Sequence, residues 1–155
     1  MPATLTDDRL VAVLQKYLTI LQGHPSAEAM MAEILTEDFE TGFVGGQIWR
    51  GIDGLRDFLA QREGFFDEKH TIDELIERTD TDGQIEARTR LHFFLRSWQA
   101  PSATSEEFTG TCFHTWRVRE AGGSWRVAAQ LVERFEDLND NAERLFATPE
   151  EGLNR

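Results

Sequence analysis

Three long runs in the second half of the chain alternate between apolar and polar residues, and this pattern limits the possible folds more than any other feature. The runs are residues 85–98, 108–119 and 125–135. A period of two is typical of strands that bury one face. Asp-Gly at 82–83 and Gly-Gly at 122–123 predict tight turns between strands. With a further strand over residues 70–79, the pattern predicts a meander of four long antiparallel strands.

The first half of the chain has the period of helices instead. Apolar residues recur every three or four positions before Gly23, which is typical of an amphipathic helix. A shorter helix is predicted from Ser26 through about Leu35. A hairpin that begins at Phe39 then leads to a third helix over residues 52–62. Helices followed by a strand meander predict an α+β domain, with N-terminal helices packed on the apolar face of a curved antiparallel sheet.

Composition restricts the class of protein. The 155 residues include 28 acidic and 16 basic side chains, for a net charge of −12. A nucleic-acid partner requires a basic surface, so this charge argues against a nucleic-acid-binding protein. No apolar run reaches the length of about 18 residues that a membrane helix needs. Cys112 is the single cysteine and has no internal disulfide partner. We expect a cytoplasmic protein with one domain over residues 1–147 and a frayed tail over 148–155.

The order and spacing of several short motifs resemble a known family. The motifs are Trp49-Arg50-Gly51, His70-Thr71-Ile72 and Gly123-Ser124-Trp125-Arg126-Val127. Together with the helices before them, they resemble the NTF2-like superfamily and its SnoaL-like branch. The resemblance implies a cone-shaped, cystatin-like α+β barrel with a pocket between helices and sheet, commonly in a dimer. Members include dehydratases, cyclases, isomerases, dioxygenase small subunits and non-catalytic carriers, so fold alone leaves function open.

The resemblance also indicates a catalytic residue. His70 matches the histidine that opens the corresponding strand in scytalone-dehydratase-like enzymes, where it acts as a base in the pocket. Imidazole suits this role because its pKa lies near neutrality. Those enzymes orient the base with an acid just past the first helix, but this chain has no carboxylate in its Gln22-Gly23-His24 stretch. Their second histidine aligns with Leu95.

A second histidine, His114, alternates onto the apolar face of its strand and is the candidate partner of His70. Glu133 falls on the predicted inward face of the last strand and could pair with it. The alternative for His114 is a hydrogen-bonded core residue. Aromatic residues expected on inward faces could line a pocket for a hydrophobic ligand or simply fill the core. The predicted ligand-binding residues are Tyr17, Phe43, Trp49, Phe58, Phe93, Trp116 and Glu133.

Other kinds of site have little support. The four histidines are scattered and form no metal-binding spacing. The glycines near residue 45 lie in a hairpin, not before a helix N-terminus where a phosphate would bind. Cys112 on an inward strand face lacks the access and basic partner of a nucleophile. We therefore expect neither a metal nor an organic cofactor.

The predicted outer face of the sheet combines arginines with apolar residues. The arginines are Arg88, Arg90, Arg96, Arg117, Arg119, Arg126 and Arg134, and the apolar residues are Phe94, Trp98, Phe113 and Val132. Protein interfaces are enriched in aromatic residues and arginine. Seven arginines on one face also need acids from a partner or from loops. The pattern predicts a homodimer through this face, with a solvated face as the alternative.

Two functions remain open from the sequence. The first is a small-molecule-binding SnoaL-like protein that acts as a lyase or isomerase on a hydrophobic cyclic substrate, with His70 as base and His114 as a second polar group. The second is a non-catalytic, dimeric binding or assembly module. His70 favours the first function, and the missing acid after the first helix favours the second.

Overall fold

A computed structural model of the chain describes residues 5–146; the tail predicted for residues 148–155 lies outside them. The described helices are α1 (Asp7–Leu21), α2 (Ala27–Glu33), α3 (Gly51–Gln61) and α4 (Asp140–Phe146). The described strands are β1 (Leu35–Phe43), β2 (Ile48–Arg50), β3 (Phe65–Thr81), β4 (Gln84–Ser97), β5 (Glu106–Ala121) and β6 (Ser124–Glu136). Thr6 and Ser26 cap α1 and α2 through their hydroxyls, as their positions in the sequence predict.

The six strands form one curved, open sheet in the order β2-β1-β6-β5-β4-β3. All neighbouring pairs are antiparallel except β1 and β6, which are parallel. Helices α1 and α3 pack against the concave side, where the buried apolar residues lie. The α+β, cone-shaped, cystatin-like fold expected from the sequence is confirmed.

The largest boundary differences from the prediction lie where α2 gives way to β1 and at the start of β3. Helix α2 ends at Glu33 because Ile34 leaves the helical conformation (φ −144°), and Leu35 already begins β1. Strand β3 begins at Phe65, five residues before the predicted start. Its alternation is hard to detect in the sequence because β3 is an edge strand with few buried residues.

The predicted inward face of β6 is wrong between two β-bulges. Arg117 and Val118 on β5 face Ala129 and Val127, so Ala128 is an extra residue on β6. The extra residue reverses the alternation that follows it. Gln130 and Val132 therefore turn inward, opposite Trp116 and His114, and Leu131 turns outward opposite Thr115.

A second bulge at Glu133 restores the original phase, because Phe113 pairs with Arg134 and His114 with Val132. Glu133 consequently lies on the outer face, where it accepts hydrogen bonds from Arg88 and Thr115. It neither lines the interior nor bonds to His114. Phe135 faces inward, as predicted, opposite Cys112.

The outer face differs from the predicted interface in two ways. Val132 points into the interior, and Phe113 is only 6% exposed because the Arg134 guanidinium covers its ring at 3.7 Å. Phe94 remains partly accessible. Trp98, predicted on this face, lies just past the end of β4 and is 52% exposed.

The acids that balance the arginines of this face come from the chain itself. Each ion pair joins an outward arginine to a carboxylate on the same strand, on the adjacent strand or on the strand after that. The pairs include Arg88–Glu133, Arg90–Asp73, Arg96–Glu107, Arg117–Glu40, Arg119–Asp38 and Arg134–Glu136. A partner chain is therefore not needed to balance this charge.

Arg126 is the arginine of this group that binds backbone rather than acid. Its guanidinium donates to the carbonyls of Met31 and Ala32 in the last turn of α2, to that of Leu35 at the start of β1, and to that of Ala121. Carbonyls in the last turn of a helix lack partners within the helix. Arg126 thus joins the C-terminal end of α2 to β6.

We expect Arg126→Met to lower the free energy of unfolding by about 1–3 kcal/mol, because several carbonyls lose their donor at once. Arg119→Met on the facing strand is the matched control. Its partner Asp38 has a side chain that is 67% exposed, and we expect a loss of less than about 1 kcal/mol. Urea denaturation measures both. Equal losses for the two variants would contradict the role given to Arg126.

Candidate functional site

A cavity of about 170 Å³ lies between the helices and the concave side of the sheet. Leucines of α1, Phe58 of α3 and inward residues of β1, β4, β5 and β6 form its walls. Leu145 and Phe146 of α4 close one side, and the Phe146 ring stacks on Phe135 with ring centroids 4.6 Å apart. The walls are mainly apolar. The polar groups within them are Thr41, Gln61, Arg62, His70, His114 and Gln130.

Two glutamines, Gln15 of α1 and Gln22 directly after it, hold the backbone of His70 in place. The side-chain oxygen of Gln22 accepts a hydrogen bond from the His70 N–H at 3.0 Å. Gln15 donates to the His70 carbonyl at 2.7 Å and accepts from the Ile72 N–H at 3.0 Å. The two glutamines thus occupy backbone groups of the edge strand β3, which has no further strand beside it. The Gln22-Gly23-His24 stretch, which lacks the family's acid, still positions His70.

The His70 ring is 9% exposed and lines the cavity. Its Nδ1 is buried and has no hydrogen-bond partner among the described residues. Burial holds the pKa of His70 well below its usual range, and Arg62 and His114 lower the pKa further. His70 is therefore neutral at physiological pH, with a ring nitrogen available to accept a proton.

His114 belongs to a buried hydrogen-bond network centred on Gln130. Thr41 and Tyr17 both donate to the Gln130 side-chain oxygen, at 2.8 and 3.2 Å. The amide nitrogen of Gln130 lies 3.1 Å from His114 Nδ1. The same nitrogen lies 3.4 Å from His114 Nε2. We assign the shorter contact as the hydrogen bond, so that the amide donates to Nδ1 and the proton of the neutral ring lies on Nε2.

Burial lowers the pKa of His114 to about 3, against a small opposite effect of Glu133. Burial also raises the pKa of the Tyr17 phenol, so Tyr17 remains a neutral donor. The cavity therefore holds two neutral imidazoles. His70 has a ring nitrogen without a partner, and His114 is held by the hydrogen bond that its Nδ1 accepts from Gln130. Such a pair can take a proton at one ring and donate a hydrogen bond at the other.

Arg62, which directly follows α3, brings a positive charge to the cavity wall. It donates to Glu68, whose carboxylate is fully buried and also lies 3.0 Å from His24 Nε2. Burial raises the pKa of Glu68, while Arg62 and His24 oppose that rise. A buried carboxylate between two basic side chains fixes the end of α3 relative to the start of β3.

The structure separates the predicted ligand-binding residues into two groups. Phe43, Phe58 and Phe93 line the cavity, as do His70 and His114. The remaining predicted residues, Tyr17, Trp49, Trp116 and Glu133, do not line it. Tyr17, Trp49 and Trp116 are buried packing residues: Trp116 lies edge-on to Tyr17 at 5.4 Å, and Trp49 packs on Phe58.

The prediction missed Gln130 and Arg62. Gln130 has a sequence signal, since it is the single polar residue in the run 127–132, and a buried amide needs partners. Arg62 has no such signal, because an arginine at a helix end is ordinary.

Among residues 5–146, no group of three His, Cys, Asp or Glu side chains is placed to hold a metal ion, and no helix is long and apolar enough to cross a membrane.

Comparison with known families agrees with this architecture. The SnoaL-like domain family matches residues 4–130, and the chain belongs to this family. No functionally curated protein matches the sequence.

Several solved structures share the fold at low sequence identity. A protein of Novosphingobium aromaticivorans assigned as a scytalone dehydratase has a TM-score of 0.68 at 15% identity, over 84% of each chain. An uncharacterised cystatin-like protein of Caulobacter vibrioides has a TM-score of 0.61 at 24% identity, over 88% of this chain and 92% of that one. A type 2 hexachlorocyclohexane dehydrochlorinase has a TM-score of 0.62 at 15% identity, over 85% and 90%.

The lowered pKa of His114 predicts a pH dependence of stability. The unfolded chain takes up a proton on this histidine below its usual pKa of about 6.5, whereas the folded chain does not until about pH 3. The contribution to stability is therefore full above pH 6.5 and is lost as the pH falls, by about 1.4 kcal/mol per pH unit.

Urea denaturation between about pH 7 and pH 5 tests this assignment. Replacement of His114 by glutamine should make the stability profile shallower than that of the unsubstituted protein. The control His92→Gln alters a histidine whose side chain is 59% exposed and should leave the slope unchanged. Parallel profiles for the unsubstituted protein and H114Q would show that His114 is not buried in the neutral form.

Proposed function

We propose that this protein is a cofactor-independent lyase or isomerase that uses acid–base catalysis on a small, hydrophobic cyclic substrate. The observation that carries the proposal is His70 itself, a buried imidazole with an unpartnered Nδ1 that lines an apolar cavity together with His114. An unpartnered ring nitrogen on a buried, neutral imidazole is costly for a purely structural residue. A ring nitrogen without a protein partner is one feature that a general base needs, because the substrate proton must have a free place to go.

The size and walls of the cavity support a single-ring substrate. An apolar protein cavity of about 150 Å³ can hold one benzene molecule, and this cavity measures about 170 Å³. Phe43, Phe58 and Phe93 offer flat, apolar surfaces to such a ring. A substrate with several fused rings would require movement of α4, whose Phe146 packs against Phe93 and Phe135.

The proposed roles of the two histidines follow from their hydrogen bonds. His70 removes a proton from a substrate carbon that is bonded either to a carbonyl carbon or to the carbon that bears a leaving group, and the C–H electron pair forms a double bond to that neighbouring carbon. In an isomerase, His70 returns the proton to another carbon; in a lyase, the leaving group departs with the bonding electrons. His114 donates a hydrogen bond from Nε2 to the oxygen or leaving group that gains charge, because Gln130 occupies its Nδ1.

The imidazoles supply both the acceptor and the donor, so the proposed reaction needs no organic cofactor. The names of two similar structures, a scytalone dehydratase and a dehydrochlorinase, denote eliminations and are consistent with a lyase. The sequence identity to both is 15%. The proposal therefore rests on the residues of this cavity.

Hydrogen–deuterium exchange at the α-carbons of cyclohexanone tests the base without knowledge of the natural substrate. In D₂O, proton NMR should show exchange that the protein accelerates. His70→Gln should reduce that acceleration by about 10²–10⁴-fold, the usual contribution of a general base. His92→Gln, on the outer face, is the matched control and should retain full exchange.

Two results would contradict the proposal. Full exchange in a folded H70Q variant would remove His70 from the reaction. A cavity that binds cyclohexanone while the unsubstituted protein catalyses no exchange would favour the alternative, a non-catalytic binding module. Circular dichroism of each variant separates loss of the base from loss of the fold.

We also propose that two copies associate through the outer sheet face. Phe94 remains there as a partly accessible apolar residue, and the Arg96 guanidinium lies 5.0 Å from its ring. Trp98, which is 52% exposed, lies just past the end of β4, where its Nε1 donates to the Ser102 carbonyl. Aromatic and arginine side chains together are favoured in the centre of interfaces.

Light scattering at micromolar concentration should give twice the mass of one chain. The double substitution Phe94→Asp and Trp98→Asp should give the mass of a single chain, because two carboxylates on each copy would meet those of the other across a two-fold axis. Val44→Asp, at a residue 55% exposed in the β1–β2 turn, is the control and should not change the mass. A single-chain mass for the unsubstituted protein at high concentration would contradict the dimer.

A further inference from the structure

We propose that the cavity takes a single six-membered ring that carries an anionic oxygen, and that Arg62 binds that oxygen. This inference rests on the proposed function, since it names the chemical class of ligand for the same cavity. It adds a binding residue that neither histidine can replace, because both imidazoles are neutral.

The first argument is the charge of the cavity wall. Among the described residues that line the cavity, none is acidic, and Arg62 is the one residue with a permanent positive charge. The whole chain carries a net charge of −12. The charge at the cavity wall is thus positive, whereas the net charge of the protein is negative. The cavity therefore attracts an anion, and the rest of the surface repels anions.

The second argument is the fixed position of Arg62. Its guanidinium donates to the fully buried carboxylate of Glu68, which also contacts His24. It lies 5.7 Å from the centre of the Phe58 ring. A guanidinium held by a carboxylate and an aromatic ring loses little conformational freedom when it binds a ligand.

The third argument is that the guanidinium is not fully used. Arg62 has five N–H donors, and its buried Nε has no hydrogen-bond partner among the described residues. A buried charged donor without an acceptor is unfavourable. The Arg62 side chain is 13% exposed and lines the cavity. A carboxylate or enolate oxygen there would meet its Nη groups, since Nε has no accessible surface.

The fourth argument is that the charge of Arg62 reaches the reacting region despite Glu68. After burial, Arg62 is the next cause of the lowered pKa of His70. A potential that disfavours a cation at His70 favours an anion at the same place. An enolate formed by proton transfer to His70 would be stabilised by this potential, and so would a permanent carboxylate.

Calorimetric titration at about pH 7 with benzoate and with benzyl alcohol tests the inference. The two probes have the same ring, and benzoate alone has an anionic oxygen. We expect benzoate to bind about 10-fold to 100-fold more tightly, the range for one charge-assisted hydrogen bond. The probes should compete for one site. A second pair of probes, 4-nitrophenolate and nitrobenzene, makes the same comparison for an enolate-like oxygen. Tighter binding of 4-nitrophenolate would show that the site prefers such an oxygen as it prefers a carboxylate.

The substitutions are chosen so that the buried charge is not left unpaired. The double variant Arg62→Met with Glu68→Gln removes both members of the ion pair, and the preference for benzoate should be lost while benzyl alcohol still binds. Arg62→Lys keeps the charge and should retain part of the preference. Arg56→Met is the matched control, since Arg56 lies on the exposed side of α3 and pairs with Glu28 and Asp53.

The outcomes separate this inference from the proposed function. Benzyl alcohol binding as tightly as benzoate in the unsubstituted protein would overturn the inference and leave the proposed function standing. A benzoate preference unchanged in the folded double variant would overturn the role of Arg62. Binding of neither ring would overturn both, because the cavity would then hold no single-ring ligand.

Discussion

A buried amide, Gln130, has to satisfy both ends of its side chain inside an apolar core, and much of the site depends on how it does so. Its oxygen accepts from Thr41 and Tyr17, and its nitrogen donates to His114. These partners come from β1, α1 and β5, so one side chain links a helix to three strands of the sheet. An unsatisfied amide here would cost about 1–3 kcal/mol, so each partner is held in one orientation. The same bonds fix the tautomer of His114.

The bulge at Ala128 makes this network possible. Without the extra residue, Gln130 would alternate onto the outer face and Leu131 would face the cavity. The second bulge, at Glu133, returns the strand to its original phase and places the carboxylate beside Arg88 and Thr115. Between them, the bulges place one polar group in the cavity and keep a carboxylate out of it. Burial lowers the pKa of His114, and an inward carboxylate would oppose this by favouring the imidazolium form.

The sequence predicted the fold class, the three main helices, the inward face of β4 and the cavity positions of His70 and His114. These predictions succeed because one-sided burial gives a clear period in long elements. The inward face of β6 could not be predicted, because Ala128, Ala129, Leu131 and Val132 are all apolar and give either phase the same hydrophobicity. The contacts of Arg62 and the volume of the cavity depend on packing between distant segments, which no local pattern records.

The protonation states of the two cavity histidines test the central claim most directly. Nitrogen-15 NMR of the imidazole rings at about pH 6 distinguishes neutral from protonated rings and the two neutral tautomers. We expect both His70 and His114 to be neutral, with His114 protonated on Nε2 and unprotonated on the Nδ1 that accepts from Gln130. A protonated imidazolium at His70 or His114, or a proton on His114 Nδ1, would contradict the account.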